Sequence, residues 1–416
     1  MEIAIIGGGA AGLMAACRLL DAGQKVLLIE RHDRMGRKLA ITGKGRCNLT
    51  NNSDFKTVLE NVPTNPKFLY SALGSFPPST IMSYFEGDLG LALKTERGNR
   101  VFPVSDKAGD VVNALSDRLK RGDCRILQGK AEKILKGEDG AVCGVVVGGK
   151  KYPVRAVIVA TGGASYPLTG SDGSGYRLAA ALGHRIVDPK PSLVPLECYG
   201  HICKALQGLS LKNTALSLVN TENEKVVYTD FGEMLFTHFG LSGPMVLSAS
   251  AHMKDVRPGK YQIELDLKPA LTEEQLDKRL LADFSANINK DFANALSALL
   301  PAKMIPVIVS LSGIDQRKKV NSIKKEERAE LVRLLKHFKL TVKGFRPIAE
   351  AIVTSGGVDV REVNPKNMES KLVKGLYFAG EVLDVDAYTG GFNLQIAFAT
   401  ACLAARDLCR DEEAKA

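Results

Sequence analysis

The chain has 416 residues, of which 45% are hydrophobic and 25% charged, and its formal net charge is +10. This composition is typical of a globular protein with enough sequence for two or three domains. No apolar run reaches the length of a membrane span, and the eight cysteines and six histidines lack the spacing of a disulfide framework or a metal site. We expect a soluble cytoplasmic protein without a bound metal, a signal peptide or a membrane partner.

The N-terminal segment predicts a strand, a glycine turn, a helix and a second strand. The apolar run Ile3–Ile6 precedes GGGAAG, and the second strand ends at Glu30. In such a unit Gly7 permits the tight turn, Gly9 lets the backbone approach a pyrophosphate, and Gly12 lets the helix pack on the strand. The helix N-terminus attracts phosphates, and the carboxylate binds ribose hydroxyls. The segment predicts a dinucleotide site, and the carboxylate disfavours NADP there.

The loop that follows, GRKLAITGKGRCNLTN at residues 36–51, combines glycines, basic residues and one cysteine. It is not a Walker loop, because Gly43 and Lys44 are followed by Gly45 and not by serine or threonine. A metal site is disfavoured because the cysteine has no partner nearby in sequence. We expect the first half to direct positive charge at the cofactor phosphates and the second half to pass close to the cofactor and substrate.

The next elements return the chain to the same sheet. Residues 113–129 predict a helix and a strand, and residues 130–154 predict a small antiparallel region with a turn at Gly148–Gly149. Residues 156–160 form another apolar run, typical of a buried strand. The glycine turn at residues 161–163 ends that strand near the first turn.

The middle of the chain has a different character. Residues 193–267 contain short β-type runs, and residues 272–339 predict helices that begin with a capping box formed by Thr272 and Gln275. This block contains no glycine fingerprint for a nucleotide, so we interpret it as an inserted domain.

The C-terminal segment, like the beginning of the chain, predicts a strand, a glycine-containing loop and a helix. A strand at residues 376–379 ends in Gly380 and Glu381, and a loop with Gly390–Gly391 leads into an apolar helix near Asn393. The N-terminus of a helix directed at the same crevice would suit the electron-rich part of a flavin ring.

These motifs resemble those of two-dinucleotide-binding flavoproteins. More narrowly, they resemble the family of bacterial FAD-dependent oxidoreductases that includes a bile-acid Δ4/Δ6 reductase, aminoacetone oxidase-type enzymes and a ribosomal RNA dihydrouridine synthase. The resemblance covers nearly the whole chain. It rests on GGGAAG with Glu30, VATGG at residues 159–163, GRKLAITGKGRCNLTN, LFTHFGLSGP at residues 235–244, AIVTSGGV at residues 351–358 and GEVLDVDAYTGGFNLQ at residues 380–395.

The resemblance implies an α/β fold with a Rossmann-like, two-dinucleotide-binding FAD domain and an inserted β-barrel-like and helical domain. The FAD domain would comprise residues 1–190 and 345–416. The β-rich insert would comprise residues 191–270 and the helical insert residues 271–344. One departure from the family pattern is Ala387, where glycine is expected.

The resemblance also implies a FAD site, with NADH or NADPH as the reductant. Because no second G-x-G-x-x-G is present, that reductant would dock without a Rossmann domain of its own. The expected FAD-binding residues are Gly7, Gly9, Ala10, Ala11, Gly12, Glu30, Arg31, Arg37, Lys38, Gly45, Arg46, Asn48, Ala131, Thr161, Gly162, Gly163, Gly380, Glu381, Asp386, Gly391, Phe392, Asn393 and Leu394.

Three residues are candidate catalytic proton donors. The Cys47 thiol, beside Lys44 and Arg46, would have a lowered pKa, or it could be a packed apolar group. Tyr388 precedes the glycine turn at Gly390–Gly391 and could donate a proton, stack or pack. His238 could donate a proton or cap a turn.

Hydride transfer from a flavin suits a C=C bond conjugated to a carbonyl, because negative charge can then reach the oxygen. A 3-oxo-4-ene bile acid and uracil both meet this requirement. We expect a small enone resembling a bile acid. Reduction of uridine in ribosomal RNA is the alternative, followed by an amine oxidase that uses O₂ and by a non-catalytic flavin-binding protein.

The basic segment, residues 317–343, favours an RNA partner or is a solvated helix surface. The chain lacks tryptophan and has no aromatic ladder on which bases could stack. The oligomeric state is left open by the sequence.

Overall fold

The structure is a computed structural model that describes residues 2–413. The strands are β1 Ile3–Ile6, β2 Val26–Glu30, β3 Thr50–Asn51, β4 Leu93–Glu96, β5 Arg100–Pro103, β6 Cys124–Gln128, β7 Ala131–Lys136, β8 Val142–Val147, β9 Lys150–Pro153, β10 Ala156–Val159, β11 Ile186–Ser192, β12 Leu196–Cys198, β13 Ser210–Asn220, β14 Lys225–Phe236, β15 Gly240–Ser242, β16 Tyr261–Asp266, β17 Phe338–Phe345, β18 Val353–Val358 and β19 Leu376–Phe378.

The helices are α1 Ala10–Asp21, α2 Arg37–Ile41, α3 Phe55–Glu60, α4 Tyr70–Ser75, α5 Pro78–Ser83, α6 Ala108–Lys120, α7 Ser174–Ala181, α8 Ile202–Ala205, α9 Pro244–Ser250, α10 Glu273–Ala286, α11 Phe292–Ala295, α12 Ile305–Ser312, α13 Lys325–Lys336 and α14 Phe392–Glu413. The chain forms two structural units. One comprises Met1–Ser192 and Pro347–Ala416, and the other comprises Leu193–Arg346.

A five-stranded parallel sheet in the order β19-β10-β1-β2-β6 is the centre of the first unit. Its middle strand, β1, is buried along its whole length, with Ile3 opposite Val26 on one side and Ala156 on the other. Such strands are covered on both faces, which explains why they appear in the sequence as continuous apolar runs. α1 and α14 pack against each other beside this sheet.

Smaller sheets complete the first unit. β7, β8 and β9 form an antiparallel sheet, β3, β5 and β4 form another, and β11 pairs with β18. The residues expected to form an antiparallel region at 130–154 therefore do so, with the Gly148–Gly149 turn between β8 and β9. The predicted α/β class with a Rossmann-like parallel sheet is confirmed.

The second unit is a closed six-stranded barrel in the order β12-β15-β14-β13-β16-β17, accompanied by helices. The predicted capping box is present at the start of α10: Thr272 Oγ1 accepts a hydrogen bond from the Gln275 N–H, and Gln275 Oε1 accepts one from the Thr272 N–H. The structure therefore contains both the barrel and the helices that the sequence predicts for the insert.

The end of the segment that we expected to be helical, residues 271–344, has a different structure. Helix α13 ends at Lys336, and Phe338–Phe345 forms β17, which pairs with β16 and β12. Side chains on the first half of β17 alternate between buried and exposed, which is the period of a strand. The helices are therefore inserted between two neighbouring strands of the barrel.

Among residues 2–413, no helix is long and apolar enough to cross a membrane. The same residues contain no group of three or more histidine, cysteine, aspartate or glutamate side chains that could hold a metal ion.

Candidate FAD site and active site

A cavity of about 360 Å³ opens in the first unit at the carboxyl ends of four parallel strands. Its wall includes residues that end or follow β1, β2, β10 and β19. The chain leaves β1 for β2 on one side and reaches β10 on the other. Ligands of open α/β sheets bind at such a switch point.

The glycine turn between β1 and α1 has the geometry that the sequence predicts. Gly7 has a φ of +106°, and a Cβ there would lie 2.5 Å from Ala160 O. A Cβ on Gly12 would lie 1.8 Å from Gly7 O, so the helix can approach the turn only because residue 12 has no side chain. Gly9, on the cavity wall, has no atom within 4 Å of such a Cβ. The backbone therefore leaves room for a pyrophosphate beside Gly9.

The N-terminus of α1 is electrostatically suited to an anion. Its N-cap, Gly9, offers no side-chain cap, and its first turn contains no acidic residue. The unpaired backbone N–H groups and the positive end of the helix dipole therefore have no anionic partner within the turn.

Glu30 lies on the cavity wall at the end of β2. Its carboxylate accepts hydrogen bonds from the Gly8 N–H at 2.7 Å and from the His32 N–H at 2.9 Å. These two amides fix the carboxylate at the edge of the cavity, where a carboxylate can accept hydrogen bonds from a ribose.

Lys38 and Glu381 form an ion pair on the cavity wall although they are 343 residues apart in the sequence. Lys38 Nζ lies 2.7 Å from Glu381 Oε2, and both side chains are about four-fifths buried. Glu381 Oε1 accepts hydrogen bonds from the Thr354 N–H at 2.9 Å and from the Ser165 hydroxyl at 3.1 Å. The sequence indicated both members of the pair separately but not that they contact each other.

Arg31 is held on the cavity wall by an ion pair with Asp172 at 2.7 Å. Burial opposes ionisation of Asp172, but hydrogen bonds from Arg31 and Ser174 outweigh it and lower the pKa of the carboxyl. Arg37 also lies on the wall, and its guanidinium contacts His32 Nδ1 at 2.5 Å.

Two buried polar atoms of the wall residues lack a hydrogen-bond partner within the described part of the chain, Asn48 Oδ1 and Thr161 Oγ1. Buried polar atoms in folded proteins are nearly always hydrogen-bonded. The polar atoms of a bound FAD would supply partners here, so the residues present fit this cofactor.

The structure brings most of the expected site residues to this one cavity. The wall contains Gly7, Gly9, Ala10, Ala11, Glu30, Arg31, Arg37, Lys38, Asn48, Ala131, Thr161, Gly162, Glu381, Tyr388, Gly391, Asn393 and Leu394. The expected residues that do not line it are Gly12, Gly45, Arg46, Cys47, Gly163, His238, Gly380, Asp386 and Phe392.

Arg46 is directed away from the cavity wall by acidic partners. Its Nε donates to Asp106 Oδ1 at 2.8 Å, Glu96 accepts from its terminal nitrogens, and the guanidinium lies 4.1 Å from the centre of the Phe102 ring. Charge-assisted bonds of this kind occupy a guanidinium and fix its direction. Arg46 therefore anchors the loop to β4, β5 and the turn that follows β5.

Cys47 is fully buried and does not line the cavity. Burial raises the pKa of its thiol to about 12, although a hydrogen bond with Thr42 acts in the opposite direction. The expectation of a lowered pKa is wrong because burial of the thiol dominates, while Lys44 is exposed and Arg46 is engaged with carboxylates. The structure favours the interpretation of Cys47 as a packed apolar group.

The other two candidate proton donors lie in different units. His238 lies in the turn between β14 and β15 of the second unit, with its ring edge-on to Phe239 at 5.0 Å. Tyr388 lies on the cavity wall together with Thr389 and Gly390. Tyr388 is therefore the candidate donor that shares the cavity with the expected FAD site.

The hydrogen bonds that support Glu381 are not predicted by the sequence. Thr354 Oγ1 accepts hydrogen bonds from the Ala164 N–H at 2.8 Å and the Ser165 N–H at 3.1 Å, while its own N–H donates to the glutamate. The available signal is the motif AIVTSGGV, which contains Thr354.

The fold and the site together define the class of protein: an enzyme of the FAD-dependent oxidoreductases. Within that class the chain belongs to the HI0933-like family, because the family model described as "HI0933-like protein Rossmann domain" matches residues 1–407. The resemblance inferred from the motifs is confirmed.

Named relatives match this chain along nearly their whole length. A "3-dehydro-bile acid delta(4,6)-reductase" of Clostridium scindens is 34% identical over 97% of this chain and 98% of the relative. A "Ribosomal RNA dihydrouridine synthase" of Escherichia coli is 31% identical over 97% of each chain. The solved structure of 3-ketosteroid delta1-dehydrogenase from Sterolibacterium denitrificans is 13% identical, with a TM-score of 0.51 over 98% of this chain and 99% of that one, and it shares the fold.

Proposed function

We propose that this enzyme reduces a C=C bond conjugated to a carbonyl in a small molecule of the 3-oxo-4-ene bile-acid or steroid class, with NADH or NADPH as reductant. When bound, FAD supplies the hydride that such a bond accepts at its β-carbon. The similarity to the bile-acid reductase over nearly the whole chain supports this class of substrate.

The residues on the cavity wall would divide the cofactor between them. We assign the pyrophosphate to the turn at Gly9 and the N-terminus of α1, and the adenosine ribose to Glu30. Glu381, paired with Lys38, would bind the ribitol hydroxyls. The start of α14, with Gly391 and Leu394, would lie against the flavin ring.

Tyr388 would give the proton that completes the reduction at the α-carbon. A phenolic O–H can act as the general acid for this step, and water would return a proton to the phenolate afterwards. The position of Tyr388 on the cavity wall supports this assignment. Cys47 is disfavoured as the donor because its side chain lies outside the wall.

One observation carries the choice of a small molecule over RNA: most of the positive charge in the basic segment is already paired. Seven of the ten lysines and arginines in residues 317–343 contact a carboxylate. The pairs are Lys318–Glu327, Lys319–Asp291, Arg328–Asp277, Arg333–Glu330, Lys336–Asp266, Lys339–Glu264 and Lys343–Glu197. Binding of nucleic acid requires cations that are free to neutralise phosphates, and local carboxylates compete for them.

Reduction of uridine in ribosomal RNA is the competing proposal, supported by the similarity to the dihydrouridine synthase. The same chemistry would serve it, because the C5=C6 bond of uracil is also conjugated to a carbonyl.

The test is product analysis with the purified holoenzyme under anaerobic conditions. We expect a 3-oxo-4-ene bile acid incubated with NADH or NADPH to gain two hydrogen atoms by mass spectrometry, and a saturated 3-oxo analogue to be recovered unchanged. Failure to reduce the enone, with dihydrouridine formed in unmodified ribosomal RNA under the same conditions, would overturn the proposal in favour of RNA.

A further inference from the structure

We propose that the side chain of Asn393 positions Tyr388 for proton transfer and does not bind the flavin. This inference rests on the proposed function, in which Tyr388 is the proton donor. It revises the role expected for Asn393 from the sequence, which places the residue among those that bind FAD.

Asn393 is the second residue of α14 and reaches back to the loop that carries Tyr388. Its Oδ1 accepts a hydrogen bond from the Ala387 N–H at 2.9 Å. Its Nδ2 donates to Ala387 O at 2.6 Å and to Tyr388 O at 3.2 Å. One side chain thus fixes the peptide groups on both sides of the Tyr388 Cα.

These bonds use the hydrogen-bonding groups of the amide almost fully. A primary amide has two N–H donors and one carbonyl oxygen. The contacts of Nδ2 and Oδ1 engage both ends of the amide with the loop, which supports a role in positioning the loop over a role in binding the flavin. The residue lines the cavity, yet its side chain is bonded to the loop.

The rest of the loop is held from other directions. The Tyr388 N–H donates to Asn61 O at 2.9 Å, and Asn51 Nδ2 donates to Gly390 O at 2.9 Å. Ala387 is fully buried and does not require a positive φ, so the alanine in place of the expected glycine is accommodated. The phenol of Tyr388 is therefore carried on a backbone with fixed ends, as a precisely aimed proton donor requires.

The experiment is a double-mutant cycle on reduced, FAD-loaded enzyme that is reoxidised anaerobically by a 3-oxo-4-ene bile acid. We compare wild type, Tyr388→Phe, Asn393→Ala and the double variant. Asn393→Asp is included because it keeps the acceptor for Ala387 and suits a helix N-terminus. Asn367→Ala is the matched control, since that amide also bonds at both ends, to Asp407 and Glu369, away from the cavity.

We expect Asn393→Ala and Asn393→Asp to slow reoxidation by up to about 100-fold, the loss typical of a small misplacement of a catalytic group. FAD content and the flavin absorption spectrum should stay as in wild type, and Asn367→Ala should react at the wild-type rate. The double variant should be no slower than Tyr388→Phe, because Asn393 acts only through the tyrosine.

Three results would overturn the inference. A loss of FAD or a shifted flavin spectrum in both Asn393 variants would identify Asn393 as a flavin contact. A double variant slowed by the product of the two single effects would show that Asn393 acts independently. A Tyr388→Phe variant that reacts like wild type would leave Asn393 nothing to position, and would also refute the proposed proton donor. The first two results leave that donor standing, so the two failures are distinguishable.

Discussion

Alanine substitutions at two glycines of the turn between β1 and α1 separate a packing role from a binding role. In Gly12→Ala the new Cβ would lie 1.8 Å from Gly7 O, about 1.6 Å short of an ordinary van der Waals contact. The obstructing atom is backbone, so helix and turn must move apart. Overpacking costs about 1–3 kcal/mol and occasionally more, and we expect the upper end, about 3 kcal/mol. The Tm of the apoprotein should fall by roughly 3–6 °C.

Gly9→Ala is the matched partner of this variant. Gly9 has a φ of −84° and a ψ of −167°, which alanine adopts readily, and the new Cβ meets no atom within 4 Å. The loss of a glycine N-cap is offset by the reduced entropy of the unfolded chain, so the Tm should change little. The methyl group would instead occupy space proposed for the pyrophosphate. We expect FAD to bind at least about tenfold more weakly, equivalent to 1.4 kcal/mol.

Thermal unfolding of the apoproteins by circular dichroism and FAD titration by equilibrium dialysis measure the two effects. A Gly12→Ala apoprotein with wild-type Tm would refute the close approach of α1 to the turn. Wild-type FAD affinity in Gly9→Ala would refute the placement of the pyrophosphate.

Three further predictions concern individual side chains. Cys47 should resist alkylation by iodoacetamide in the folded protein, because it is buried and its thiol pKa is raised, whereas the exposed Cys143 should react; mass spectrometry of peptides would reveal the opposite order. Glu381→Gln should destabilise the apoprotein by about 1.5–3 kcal/mol in urea unfolding, the value of a hydrogen bond to a charged group; an unchanged midpoint would contradict the ion-pair geometry. The pKa of Asp172 is lowered in the folded protein. Its contribution to stability is therefore present above the pKa of the unfolded state, about 3.9, and is lost as the pH falls through the lower pKa of the folded state. The stability difference between wild type and Asp172→Asn should therefore shrink with acid, and a constant difference from pH 7 to pH 3 would contradict the pairing with Arg31.

Local rules explain the parts of the fold that the sequence predicted. The glycine turn at residues 7–12 and the capping box of Thr272 are specified by neighbours within a few residues. The buried parallel strands are continuous apolar runs because both faces are covered. The strand β17 was not predicted, because it forms by pairing with β16 and β12. The residues next to α13 do not indicate this pairing.

The sequence predicted which residues form the candidate site better than it predicted which of them contact each other. Lys38 and Glu381 were each assigned to the cofactor, but a pair separated by 343 residues requires the sheet to bring the partners together. Arg46 was assigned by its position in a basic loop, whereas Glu96 and Asp106, distant in sequence, decide its direction. Long-range charge partners, which a single sequence does not reveal, account for both differences.

The most direct test of the proposed function is a comparison of two acceptors for the reduced flavin. The holoenzyme is reduced anaerobically, and flavin absorbance is followed after addition of a 3-oxo-4-ene bile acid or of unmodified ribosomal RNA. The proposed function predicts rapid reoxidation by the bile acid and none by the RNA, with the basic segment acting as an ion-paired surface. Reoxidation by the RNA alone, with dihydrouridine formed, would contradict it and identify RNA as the substrate.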